Sequence, residues 1–261
     1  MIKLIASDMD GTLLNEQGKI PLRFWEIEKK LVQNHILFCA ASGRQYSNLE
    51  FLFSSIKNNT IFMAENGALV IFQNKILFEN PMSKKDLFEW RKIASSLENV
   101  MLVFCGKQSA YIEKTDNQAF LTEIRKYYHK LEMVNSLEEI QENMLKLAIC
   151  DLNGSEKNSY LQYKKFEHEY QVVVSGEIWL DIMSKSTNKG AALEKIKEFF
   201  QIQEDELLIF GDYLNDYEMM SCGKYSFAME NAHPKLKEKA NYITKSNKEE
   251  GVLVTIEKFI K

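Results

Sequence analysis

The sequence predicts an α/β protein: a doubly wound, mostly parallel sheet built from both ends of the chain, with an α+β module inserted between them. Over residues 1–80, short apolar runs alternate with helical periodicity, the pattern of parallel strands joined by crossover helices. The same texture returns after Lys185. In the stretch between, strands follow one another across short turns, which marks antiparallel pairing and an expectation of helices on one face.

The elements follow in order. IKLIAS is the first strand, a helix spans about Pro21 to Asn34, ILFCAAS is the second strand, a short helix starts near Gln45, and TIFMAEN is the third strand. Pro21 suits a first helical turn, where its missing N–H has no partner to lose. ALVIFQNKILFEN reads as a hairpin turned at Gln73-Asn74. The insertion supplies a helix over 84–97, the strands VMLVFCG and SAYIE, a charged helix from Asn117 to Lys130, LKLAICDL, and a helix from Glu156 to His168. It closes with YQVVVSG and IWLDIM, joined at Gly176-Glu177. Next come a helix over Lys189 to Phe200, ELLIFGD, a helix from Asn215, YSFAM, a helix over Pro234 to Ala240, YITK, and a closing helix to Lys261. The expected division is therefore 1–82 plus 186–261 as core and 83–185 as insertion.

Composition excludes several classes. A chain of 261 residues with 33 basic against 37 acidic side chains has a net charge of −4, without the basic footprint of a nucleic-acid binder. No apolar run reaches the roughly 18 residues of a membrane span, and no signal-peptide pattern opens the chain, so the expectation is a cytoplasmic protein, monomer or weak homodimer. Cys39, Cys105, Cys150 and Cys222 lie far apart in apolar segments and read as reduced, buried thiols. The four histidines show no metal-ligand spacing.

The polar signals gather at the carboxyl ends of core strands, where open α/β sheets bind ligands. They are Asp8-Met9-Asp10-Gly11-Thr12, Ser42-Gly43-Arg44, Asn66-Gly67, and Gly211-Asp212 with Asn215-Asp216. Lys189 opens a helix, where a positive charge opposes the dipole, so function is the better account of it. Two acids at the end of a buried strand repel each other, and burying either alone costs several kcal/mol. A hard cation resolves this: Asp8, Asp10 and Asp212 suit Mg²⁺, which takes a few carboxylates plus waters and phosphate oxygens. A carboxylate so neutralised can attack a phosphoryl group, with Ser42, the backbone around Gly43, and Lys189 holding its oxygens.

In this order, DMDGT, the Ser of ASGR, the Lys of TNKGAAL and GDYLND resemble the four motifs of the haloacid dehalogenase-like phosphatases across the whole chain. The Cof-like sugar-phosphatase group with a type-II cap is most similar, because the room for an insertion lies between Ser42 and Lys189. The resemblance implies a Rossmann-like core, an α+β cap closing over the site, Mg²⁺ as cofactor, and a small phosphorylated metabolite as substrate. A sugar phosphate is the commonest class, with pyridoxal phosphate or flavin mononucleotide as others. It makes Asp8 the phosphorylated nucleophile and Asp10 the general acid/base, whose backbone carbonyl also joins the metal. Lys189 would bind the phosphoryl group and restrain Asp8, and Asp212 would be a metal ligand with Asp216 supporting the metal from behind. Thr12, Ser42, Gly43, Asn66, Gly67 and Asn215 fall to phosphate or substrate binding. Two other functions share these residues: a phosphomutase, and a catalytically silent sensor of a phosphorylated metabolite. Tyr213-Leu214 departs from the pattern, since a glycine often follows the aspartate there.

Overall fold

A computed structural model describes residues 1–260 and divides them into two compact units. Unit 1 comprises Met1–Gly43, Leu49–Phe78 and the chain from Asn188; unit 2 comprises Arg44–Asn48 and Glu79–Thr187. No sequence signal pointed to Arg44–Asn48 grouping with the insertion.

The first strands are β1 (Leu4–Asp8), β2 (Leu37–Ala41), β3 (Thr60–Ala64), β4 (Leu69–Phe72) and β5 (Lys75–Glu79), with helices α1 (Phe24–Gln33) and α2 (Tyr46–Leu52). Unit 2 holds β6 (Val100–Gly106), β7 (Ala110–Glu113), β8 (Leu131–Val134), β9 (Met144–Asp151), β10 (Tyr170–Gly176) and β11 (Trp179–Ser184). Its helices are α3 (Leu87–Ser95), α4 (Gln118–Tyr127) and α5 (Ser159–Tyr163). Unit 1 resumes with α6 (Lys189–Phe200), β12 (Leu207–Gly211), β13 (Tyr225–Ala228), α7 (Pro234–Lys239), β14 (Tyr242–Ile243) and α8 (Gly251–Phe259). The closing helix ends at Phe259, with Ile260 extended, and Lys261, to which it was expected to reach, lies outside the described residues.

The eight strands of unit 1 lie in the order β14-β13-β12-β1-β2-β3-β4-β5. β1 sits between β12 and β2, parallel to both, and all five of its residues are buried. Such two-sided burial is why its sequence reads as a continuous apolar run rather than an alternating one. β4 turns back antiparallel to β3, and Gln73 and Asn74 both take positive φ, the demand of a tight hairpin turn. Behind the sheet, Phe24 meets Phe38 at 5.1 Å and Phe53 at 5.8 Å, both edge to face, and Phe53 continues to Phe62 at 6.3 Å. Pro21 lies one turn ahead of α1, its carbonyl accepting from Phe24 N–H, rather than inside the helix. The helix expected from Asn215 is two short turns, Leu214–Asp216 and Met219–Ser221. Asp216 spends its carboxylate on nearby backbone N–H groups, a local bond that competes with helix formation.

Unit 2 is a six-stranded sheet, β10-β11-β9-β6-β7-β8, antiparallel except for β7 and β8, which α4 joins in parallel. Helices on one face were expected, and the structure corrects this. Trp90 of α3 and Tyr163 of α5 share a core with Leu102, Phe104, Leu147 and Ile149. Phe120, Leu121 and Ile124 of α4 pack with Val103, Cys105, Ala148 and Cys150, the alternate residues of the same strands. Covering both faces makes β6 and β9 apolar at nearly every position. β8, with only half-buried ends, carried too little apolar signal to be read as a strand. The four cysteines are free and buried, and no described helix is long and apolar enough to cross a membrane.

Phe53 is fully buried whereas Leu22 is 86% exposed. Phe53→Ala is expected to cost about 3–5 kcal/mol in urea unfolding and Leu22→Ala no more than about 0.5. Equal costs would contradict this placement of the core.

Candidate active site

The site forms at the carboxyl ends of β1 and β12. After Asp8 the chain makes a tight turn in which Asp10 has φ −78° and ψ 122° and Gly11 has φ +77° and ψ −3°. These are the dihedrals of a type II turn, whose third residue needs positive φ and therefore favours glycine. A second reason excludes a side chain there: a Cβ on Gly11 would stand 2.2 Å from Asp212 Oδ2. The turn is tied down when Asn231 Nδ2 donates to Gly11 O at 2.8 Å. Asp8 is left buried while Asp10, two residues on, is exposed.

Asn188 caps α6 by accepting from Ala191 N–H at 2.7 Å, which fixes where the helix starts and sends Lys189 inward. Lys189, with no exposed surface, donates to Asp8 Oδ1 at 2.5 Å and to Asp216 Oδ1 at 2.6 Å. Asp216 Oδ2 accepts from Asp212 N–H at 3.0 Å and Tyr213 N–H at 3.3 Å. Asp212 Oδ1 accepts from the Thr12 hydroxyl at 3.2 Å.

Asp8, Asp212 and Asp216 each bring one oxygen within 4.8 Å of the others. Three carboxylates therefore face one ammonium. Burial pushes the Asp8 carboxyl well above its usual range, against the pull of Lys189, and the charges of Asp216 and Asp212 add to the rise. Burial, then the charge of Asp216, lifts Asp212 to about 6. Lys189 goes the other way: burial alone would lower it, but Asp216 and Asp8 outweigh that and hold it above its usual range. The surplus negative charge is what a divalent cation would balance. Both oxygens of Asp216 are engaged by Lys189 and backbone N–H groups, so Asp8 and Asp212 are the carboxylates that could hold one. Asp10 brings no carboxylate oxygen to this cluster, though its charge also raises Asp212.

The second and third loops stand beside these. Ser42 N–H donates to Met63 O, and Ser42 O accepts from Asn66 N–H, so the Ser42-Gly43 and Asn66-Gly67 loops are stitched together. A Cβ on Gly43 would lie 3.0 Å from Asn66 Oδ1, and Asn66 Oδ1 accepts from Asn215 Nδ2 at 3.2 Å. Glu65, Asn66 and Gly67 have φ of 48°, 55° and 93°, an unusual run that for non-glycine residues stores strain. Gly67 lies against α6, where a Cβ would come within 2.7 Å of Asn188 O. The structure thus brings Asp8, Thr12, Lys189, Asp212 and Asp216 into direct contact, and Gly43, Asn66 and Asn215 into a second cluster. Sequence reasoning missed Asn231 and His233, whose N–H donates to Asp212 O at 2.8 Å. Their signal was available, since Asn-Ala-His-Pro follows β13 at the same sheet edge.

With this geometry in view, comparison with known proteins is decisive for class. Residues 5–256 match the haloacid dehalogenase-like hydrolases, and the chain belongs to that family. Within it, the chain is a Cof-type phosphatase. It is 35% identical, over its whole length and 97% of the relative, to the Escherichia coli (strain K12) 5-amino-6-(5-phospho-D-ribitylamino)uracil phosphatase YbjI. It is 26% identical to the Bacillus subtilis (strain 168) phosphatase YwtE, named for the same substrate, over 99% of this chain and 98% of that one. The crystal structure of SMU.1108c from Streptococcus mutans UA159 superposes with a TM-score of 0.87 at 32% identity, covering 99% of each chain.

The position of Asp212 near 6 sets a pH dependence. A folded-state value above the unfolded one gives stability that is present at low pH and lost as pH rises through about 6. A bound cation needs the deprotonated form. Differential scanning fluorimetry is expected to show Mg²⁺ raising the melting temperature more at pH 7.5 than at pH 5, with Asp212→Asn abolishing the difference. An equal Mg²⁺ effect at both pH values would contradict the assignment.

Proposed function

We propose that the protein hydrolyses a small phosphomonoester in a Mg²⁺-dependent reaction through a phospho-aspartate on Asp8, with Asp10 as general acid/base. One observation carries the reading: the buried Lys189 holds Asp8 and Asp216 together beside Asp212, a constellation with a surplus of negative charge at the end of the central strand. When bound by Asp8, Asp212 and the carbonyl of Asp10, Mg²⁺ supplies positive charge that offsets the repulsion between carboxylate and phosphoryl oxygens.

The chain's own groups do the rest. Lys189 fixes Asp8 Oδ1, so the carboxylate is oriented before substrate arrives, and it carries positive charge to the phosphoryl oxygens. The loops at Ser42-Gly43 and Thr12 are suited to hold those oxygens, and Asn66, Gly67 and Asn215 to hold the remainder of the ester. An Asp8 oxygen attacks phosphorus, the phosphorus–oxygen bond to the leaving group breaks, and Asp10 gives its proton to the departing alkoxide. Asp10, now a base, takes a proton from water as that water attacks phospho-Asp8, releasing inorganic phosphate and restoring both aspartates. The type II turn is what separates the roles, keeping Asp8 buried against Lys189 and Asp10 in solvent where it can exchange protons.

For the substrate, the relatives' names support the phosphate ester of a five-carbon polyol or sugar, with 5-amino-6-(5-phospho-D-ribitylamino)uracil as the leading candidate. The inserted unit is the candidate cap.

A screen of phosphate monoesters is expected to show hydrolysis that needs Mg²⁺ and falls about 10³-fold or more in Asp8→Asn and Lys189→Met. Equal rates in wild type and Asp8→Asn would refute the covalent step. Asp10→Asn is expected to accumulate phospho-enzyme from p-nitrophenyl phosphate, a good leaving group, because attack on Asp8 proceeds while its hydrolysis slows. Rapid-quench mass spectrometry reads this directly, and a variant that never becomes phosphorylated would remove Asp10 from the second step.

A further inference from the structure

The turn after Asp212 is unusual for what it exposes. Turn positions are served well by glycine, asparagine or aspartate, yet Tyr213 is 57% exposed, Leu214 39% and Tyr217 40%. Three exposed aromatic or apolar side chains within five residues make this turn a candidate contact site. The Tyr217 ring is already occupied, with the Lys239 ammonium 5.2 Å from its centroid. Tyr213 is placed differently. Its ring meets that of His233 at 5.6 Å and an interplanar angle of 84°. His233 is itself anchored, donating its N–H to Asp212 O at 2.8 Å and accepting at Nδ1 from Lys235 N–H at 3.2 Å. The tyrosine ring therefore rests on the ring of His233, which is itself tied to the backbone of Asp212, while Tyr213 remains 57% exposed.

We propose that Tyr213 is a specificity-determining residue: an aromatic platform on which a planar heterocycle, carried at the far end of the leaving group, stacks. The inference deepens the phosphatase reading above and rests on it. Reach supports it. Tyr213 is adjacent in the chain to Asp212, whose carboxylate lies within 4.8 Å of that of Asp8. With Cα atoms about 3.8 Å apart, its ring lies on the order of 10 Å from a phosphoryl group on Asp8. A five-carbon chain built of bonds about 1.5 Å long spans roughly 7 Å with its ester oxygen, a length comparable to that separation. A shorter or ring-free ester would leave the platform uncovered. Aromatic surface of this kind suits a nitrogen heterocycle, because every such ring has a stacking face.

The test compares flavin mononucleotide, a ribityl phosphate with a planar ring, against ribitol 5-phosphate, which has the same chain without one. The ratio of their kcat/KM values is expected to fall about 10-fold or more in Tyr213→Leu, mainly through KM, and to return to within about 3-fold of wild type in Tyr213→Phe. An unchanged ratio in Tyr213→Leu overturns the proposal, and so does a phenylalanine variant as impaired as the leucine one. Flavin fluorescence quenching in the Asp8→Asn background reads binding without turnover. There, Tyr213→Leu is expected to weaken flavin mononucleotide binding about 10-fold, and equal binding with and without Tyr213 overturns the platform. Failure of the phosphatase reading looks different: neither ester is hydrolysed by the wild-type protein, whatever residue 213 is.

Discussion

The ammonium of Lys189, buried between Asp8 and Asp216, is the interaction on which the other features of the site depend. A lysine without solvent contact is tolerated only where carboxylates surround it, and removing one partner of such a buried pair typically costs about 3–5 kcal/mol. Here the carboxylates outnumber it. Burial first, and then that imbalance, raises Asp8 and Asp212, and the surplus makes the site a receptor for positive charge that the polypeptide itself does not supply. Stability has been traded for a chemical capability, since an apolar cluster of similar volume would hold β1, β12 and α6 together at least as well.

Close approach of backbone to carboxylate enforces this arrangement. Gly11 admits Asp212, and Gly211 admits Asp216, whose Oδ2 would lie 2.6 Å from a Cβ there. Gly67 lets the strained loop after β3 lie against the start of α6, the turn that carries Lys189. Three separate segments therefore converge on one lysine because at each crossing a side chain is missing. The conformational cost of glycine in the unfolded chain is offset where φ is positive and a Cβ would collide.

Much of this was legible in the sequence for identifiable reasons. β1, β2, β3 and β12 are buried on both faces, so they read as apolar runs, and the polar residues ending them mark the carboxyl edge of the sheet. Asp8 and Asp212 can be read from those edges, and Lys189 from its unfavourable charge at a helix start. Other features were hidden. The capacity of Asp216 to stop a helix lies in bonds from its carboxylate to backbone N–H groups, which periodicity does not register. The expectation of helices on one face of the unit 2 sheet fails at α4, which covers the opposite face, and VMLVFCG and LKLAIC are apolar on both faces for that reason. Asn231 and His233 act through backbone bonds to Gly11 and Asp212, and a residue that works by holding a turn leaves no charge pattern to find.

The central claim is that the site carries more negative charge than Lys189 balances, so that around pH 6 Asp212 retains part of a proton that a bound cation would displace. Titration calorimetry of Mg²⁺ binding at pH 6, repeated in buffers of different ionisation enthalpy, counts that proton. Release of about half a proton or more per Mg²⁺ bound is the predicted result. Mg²⁺ binding with no proton released would show that Asp8 and Asp212 are fully ionised beforehand, and would contradict the account.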